Sequence, residues 1–167
     1  MSKFRRQNPQ EPQPVDAYDK ALTLLVRREH SAKELKSKLA RRGLDDDAAS
    51  MALAKLQSKD FQSDARFGEM LVRSRISGGY GPRWIIAELR THAITEEQAR
   101  ALLDTAEVDW TDQVRRQLRR RFGAKAPASH AERAKRAAFL LRRGFDAATV
   151  QSVTRAEGLE SSADELD

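Results

Sequence analysis

The stretch Ile76–Leu89, ISGGYGPRWIIAEL, decides how this chain is read. Gly78, Gly79 and Gly81 permit backbone angles that a side chain would oppose. Pro82 suits the first turn of a helix, where its missing N–H costs nothing. Trp84, Ile85, Ile86 and Leu89 then recur at helical spacing. Upstream, Asp64–Ile76 carries Phe67, Met70 and Leu71 on one helical face. The stretch is therefore a helix, a tight glycine joint and a second helix. Trp84, inside the apolar run, is expected in the core; Tyr80, between glycines, is expected on the surface.

Similar units lie on both sides. Ala17, Ala21, Leu22, Leu24 and Leu25 give a first helical face, and that helix is expected to end at His30-Ser31. Ser31 with Glu34 forms a capping-box pattern ahead of Leu35 and Leu39, and Gly43 follows the last turn. Asp45–Asp47 opens the next helix, where acids oppose the helix dipole. Downstream, Thr95 with Gln98 and Ser129 with Glu132 repeat the capping-box spacing. Asp109–Phe122 bears Val114, Leu118 and Phe122, and Asp146 caps a final helix containing Val150 and Val153.

The segments KLARRGLDDDAASMAL, ELRTHAITEEQARALL and LLRRGFDAATVQSV align on Leu39, Leu89 and Leu140, at offsets of 50 and 51 residues. They align again on Leu44, Ile94 and Phe145. A period of this length marks tandem helical modules. Each is too small to bury a large core alone, so neighbours are expected to share interfaces. The expected fold is all-α, with three tandem three-helix modules forming an elongated, curved helical repeat. The modules span 16–58, 59–106 and 107–157, with flexing joints at about Lys59–Ser63 and Ala106–Asp109. Disordered tails are expected over 1–15, which is rich in proline, and over the acidic 158–167.

Composition narrows the function. The 167 residues are 40% hydrophobic and 34% charged, with no cysteine, which excludes disulfides and thiolate chemistry. No apolar run approaches the ~20 residues that span a bilayer. The N-terminus MSKFRRQNPQEPQPV lacks the apolar core of a signal peptide. A cytoplasmic monomer without cofactor, metal or membrane partner is expected. His30, His92 and His130 fall at loops or helix ends in different repeats, without the i, i+4 pairing of a zinc helix, and read as solvated histidines. SGGYG lacks the Gly-Lys-Ser/Thr of a phosphate loop. An enzyme is not indicated.

The net charge is +6, with a pI near 9.9. Gln113–Lys125, QVRRQLRRRFGAK, carries Arg115, Arg116, Arg119, Arg120, Arg121 and Lys125 with no acid among them. Such asymmetry points to a polyanionic or acidic partner. Arg66, Arg73 and Arg75 project from the helix before the glycine joint, and Tyr80 and Arg83 flank it. These residues are the candidates for partner or DNA contact.

Several stretches together resemble the RecX family of regulators of the RecA recombinase. They are REHSAKELKSKL at 28–39, SDARFGEMLVRSRISGGYGPRWIIAEL at 63–89, EVDWTDQVRRQLRRRFG at 107–123 and AKRAAFLLRRGFD at 134–146. The likeness covers about Ala17–Glu157. One departure is Ser63-Asp64, where the family usually has a double aspartate. The resemblance implies three tandem three-helix modules. It also implies binding to RecA–DNA filaments, with inhibition of ATP hydrolysis, strand exchange and co-protease activity, by lodging in the filament groove or blocking filament growth. It further implies weaker, non-specific binding of single- or double-stranded DNA, and a place in recombination, repair and the SOS response. The alternatives are a basic helical DNA-binding protein acting without RecA, and a passive helical scaffold.

Overall fold

The computed structural model describes the backbone of residues 14–164 and the side chains of residues 16–156. Residues 1–13 and 165–167, which include most of the first expected tail and the end of the second, lie outside it. The described residues form nine helices and no strand: α1 (Pro14–Leu25), α2 (Ala32–Ala40), α3 (Asp46–Ser58), α4 (Asp64–Ser77), α5 (Pro82–Thr91), α6 (Glu96–Thr105), α7 (Trp110–Phe122), α8 (His130–Arg142) and α9 (Ala147–Asp164). Among the described residues no helix is long and apolar enough to cross a membrane. The chain divides into two compact units, one through Phe67 and one from Gly68 onward.

In the first unit α1 packs along α3. Small residues allow the approach: Ala17, Ala21, Ala48, Ala49 and Ala52 are buried together with Leu39, Leu44 and Leu56. Leu24, Leu35 and Leu53 form a second cluster. α1 ends at Leu25, well short of His30. The chain must leave the helix there, because His30 and Ser31 turn inward and are buried. His30 is 2% exposed, which corrects its reading as a solvated histidine. Its Nδ1 lies 3.1 Å from Glu34 Oε1. Burial is the largest influence on His30 and lowers its pKa, outweighing the hydrogen bond and charge of Glu34. Burial pushes the Glu34 carboxyl up, but the hydrogen bonds from Arg28 and His30 and their charges prevail and hold it at about 2.

Gln62, also buried, fastens this unit. Its Nε2 donates to the His30 carbonyl at 3.2 Å and to Asp64 Oδ1 at 2.9 Å, and its Oε1 accepts from Gln57 at 2.8 Å. Asp64 Oδ1 also accepts from the Ala32 N–H at 2.8 Å.

In the second unit α5 packs on α6, and α7 and α8 pack on α9. Val114, Leu118, Leu140, Phe145, Val150 and Val153 form the core of the α7–α9 group. Trp110 meets Phe145 edge-on at 6.4 Å, and Phe122 meets Phe139 at 5.6 Å.

One turn recurs three times with the sequence repeat. Gly43, Ala93 and Gly144 have φ of +79°, +66° and +83°. Each is followed by a buried apolar residue, Leu44, Ile94 or Phe145. The N–H of that residue returns to the carbonyl of Leu39, Leu89 or Leu140. This is a Schellman closure, in which a left-handed residue lets the chain satisfy the last helical carbonyls.

Candidate functional site

The glycine joint between α4 and α5 is a docking element as well as a turn. The Gly81 N–H donates to the Arg143 carbonyl at 2.8 Å, and the Arg83 N–H to the Gly144 carbonyl at 3.0 Å. The Arg143 guanidinium returns the contact, donating through Nη1 to the carbonyls of Gly78 at 2.9 Å and Gly79 at 3.2 Å. The joint is thus clasped to the third copy of the Schellman turn, between α8 and α9. Two glycines make room for it. A methyl at Gly81 would overlap the Gly144 carbonyl and the Phe145 nitrogen, and one at Gly144 would overlap Trp84. Gly79, at φ +79°, lies against the buried side chain of Gln117 from α7. The sequence revealed that this loop turns, but not what it meets. Arg143, Gly144 and Gln117 were missed, and the only available signal was that LLRRGFD repeats KLARRGL.

Above the clasp lies a short stack. Tyr80 and Trp84 are near-parallel, with centroids 5.1 Å apart and planes 26° from each other. The Arg143 guanidinium sits 5.3 Å from the Tyr80 centroid and 5.0 Å from that of Phe139. Trp84 remains 44% exposed, so its expected core placement is corrected. Ile85 and Leu89 take the buried face of α5, and Trp84, one residue ahead of Ile85, falls on its edge. Tyr80, expected on the surface, is half-buried. Both rings line an open groove of about 610 Å³ with Arg75, Ala87, Glu88 and Thr91. Arg75 forks onto Glu88 with two hydrogen bonds of 2.6 Å. Those bonds, chiefly, raise its pKa. The pair makes a charge-balanced wall.

The remaining candidates divide into engaged and open. Arg66 turns away from the joint. It bonds Glu29 Oε1 and Asp60 Oδ1, each at 2.8 Å, and its role in the first unit is to tie α4 to two loops. Arg73 is exposed and only 3.9 Å from Glu69. Arg83 is exposed beside Trp84. Along α7, Arg115, Arg116, Arg119, Arg120 and Arg121 are all exposed, as is Lys125 beyond its end. Arg116 meets Asp112 at 2.7 Å, the acid that immediately precedes the acid-free run, one turn back along the helix. Arg121 leans over the Phe122 ring at 5.6 Å. Arg115 and Arg119 line a cleft of about 350 Å³ with Gly123, Val153 and Ala156. Among the described residues Arg115, Arg119 and Arg120 meet no carboxylate, so α7 presents uncompensated positive charge. Among the described residues no grouping of three or more His, Asp or Glu could hold a metal ion.

Family profiles described as the first, second and third three-helix domains of RecX match residues 17–56, 63–103 and 107–154. A curated relative, "Regulatory protein RecX" of Stenotrophomonas maltophilia strain R551-3, is 48% identical over 151 residues, covering 90% of this chain and 91% of its own. The chain belongs to the RecX family. A RecX protein of Xanthomonas oryzae pv. oryzae strain MAFF 311018, under the same name, is 44% identical, covering 89% of this chain and 98% of its own. The RecX crystal structure from Lactobacillus salivarius superposes with a TM-score of 0.71 at 23% identity, covering 87% of this chain and 97% of that one. A second RecX crystal structure gives 0.72 at 18% identity, covering 91% and 82%. The three RecX domains coincide with α1–α3, α4–α6 and α7–α9.

Proposed function

We propose that this protein is a regulator of the RecA recombinase that acts by binding and not by catalysis. It binds RecA–DNA filaments and inhibits ATP hydrolysis, strand exchange and co-protease activity, by lodging along the filament groove or by blocking filament growth. Family membership supports the regulatory role. The observation that carries the binding mode is the exposed, acid-poor face of α7. Uncompensated arginines on a helix repel one another, a cost of a few tenths of a kcal/mol per pair that an acidic protein face or a phosphate backbone removes. Tandem three-helix groups in one chain also allow several weak contacts on a repeating filament, which gain strength through effective concentration. DNA contact is weaker and non-specific in this reading. The protein works as a cytoplasmic monomer.

The test is the rate of ATP hydrolysis by RecA on single-stranded DNA with this protein titrated in. Inhibition well below one molecule per protomer means a block to growth, and inhibition only near one-to-one means groove coating. No inhibition, together with tight salt-dependent binding to naked DNA, would replace this reading with that of a DNA-binding protein acting without RecA.

A further inference from the structure

An exposed tryptophan held rigidly in place calls for an explanation that folding does not supply. Trp84 is 44% exposed while one side of it packs on Tyr80 and its backbone abuts Gly144. Four hydrogen bonds across the clasp fix the loop that carries its stacking partner. The open part of the indole faces the groove that Arg75, Ala87 and Thr91 complete. Arg83 stands beside it, and Arg142 lies two residues from the glycine that touches it. Both are exposed, and neither makes an ion pair among the described residues. Among the described residues that line the groove the one acid, Glu88, is already occupied by Arg75.

From these features we infer that Trp84, backed by Tyr80 and Arg143, is a stacking platform for an unpaired nucleobase of a single strand. Arg83 and Arg142 are placed to meet the flanking phosphates. Aromatic faces accept any base, because every base has a π-face, and nearby cations track the backbone. A platform already stacked loses little freedom when a base is added. The neutralised Arg75–Glu88 wall fits this occupant, since a base brings no net charge into the groove. The inference deepens the filament-binding reading, because a filament on DNA is where a single strand is presented.

The chain has two tryptophans, so Trp110→Phe leaves emission from Trp84 alone. The probes are a thymidine homopolymer, a strand of equal length with abasic sites, and a duplex. The thymidine strand is expected to quench Trp84, and the abasic strand and duplex to leave it nearly unchanged. Trp84→Ala is expected to weaken thymidine-strand binding roughly 5- to 150-fold, from the usual worth of one base–aromatic stack. Trp84→Phe keeps a ring and is expected to retain most of the affinity. Equal quenching by thymidine and abasic strands would overturn the inference. So would Trp84→Ala binding the strand normally, and if that variant also failed to inhibit the recombinase, Trp84 would be a protein contact and the regulatory reading would stand. Conversely, quenching by thymidine in a protein that never inhibits the recombinase would uphold the platform and remove the regulatory reading.

Discussion

Burial of His30 makes the first three-helix group sensitive to acid. Its pKa is lowered, so the unfolded chain takes up the proton first as pH falls. The stability it contributes is complete above about pH 6.5 and declines below it. Glu34, held at about 2, acts in the same direction in a lower window. Its contribution is complete above the ordinary carboxylate value of 4.5 and is lost as pH falls toward 2. Stability measured by urea unfolding with circular dichroism is therefore expected to fall from neutral pH downward. His30→Gln should flatten the upper part of that curve, and Glu34→Gln the lower part. A second residue-scale expectation concerns Ala93, which holds a left-handed conformation where the other two copies of the turn have glycine. A non-glycine residue there costs about 1–2 kcal/mol, partly offset by its smaller unfolded-state entropy. Ala93→Gly is expected to stabilise the protein by about 0.5–1 kcal/mol, read as a shift in the urea midpoint. Neither His30 nor Ala93 stands out in sequence. His30 sits in a helix-capping context that usually means solvent, yet it is buried, and its backbone carbonyl accepts from Gln62, thirty-two residues away in sequence.

At the scale of elements, helix starts were legible because capping is local chemistry. Ser31, Thr95 and Ser129 each accept from the backbone N–H three residues on, as their spacing implied, and Asp45 and Asp109, read only as opening their helices, cap them in the same way. Thr95 and Gln98 close a complete reciprocal box. Glu132 departs from that pattern and reaches back to the Ala128 N–H. The α7 cations were equally readable, but their division was not. Arg115 and Arg119 flank the cleft beside α9, while Arg116 meets Asp112. Arg116→Glu with Arg120→Glu is expected to weaken recombinase inhibition about tenfold or more while leaving helicity intact. An exposed ion pair contributes about 0.2–1 kcal/mol, and charge reversal replaces that attraction with repulsion at two sites. Unchanged inhibition with native circular dichroism would remove this face from the binding surface. Trp84 marks the limit of periodicity. An apolar residue within an apolar run reads as core, yet α5 buries only a narrow stripe, and the residue just off that stripe faces the groove.

On the scale of the molecule, the clasp joins the second and third three-helix groups inside one compact unit. Arg143→Ala removes the hydrogen bonds to Gly78 and Gly79 and the cation beside Tyr80. It is expected to cost about 1–3 kcal/mol, the range for hydrogen bonds from a charged donor. Hydrogen exchange at the Gly81 and Arg83 amides should quicken, while amides in α1–α3 stay protected. Gly144→Ala is expected to be the harsher change, since a methyl there strains the left-handed turn and also strikes Trp84. The all-helical class, the three-fold repeat and its turns, and the basic α7 were determined by the sequence alone, because each follows from interactions within a few residues or from a period that repeats. The burial of His30, the bond from Gln62 to its carbonyl, the closure of the glycine joint on Arg143 and Gly144, and the exposure of a stacked Trp84 were decided only by the tertiary structure. Each depends on segments far apart in sequence meeting at atomic distance, and no local pattern of side chains encodes which two segments will meet.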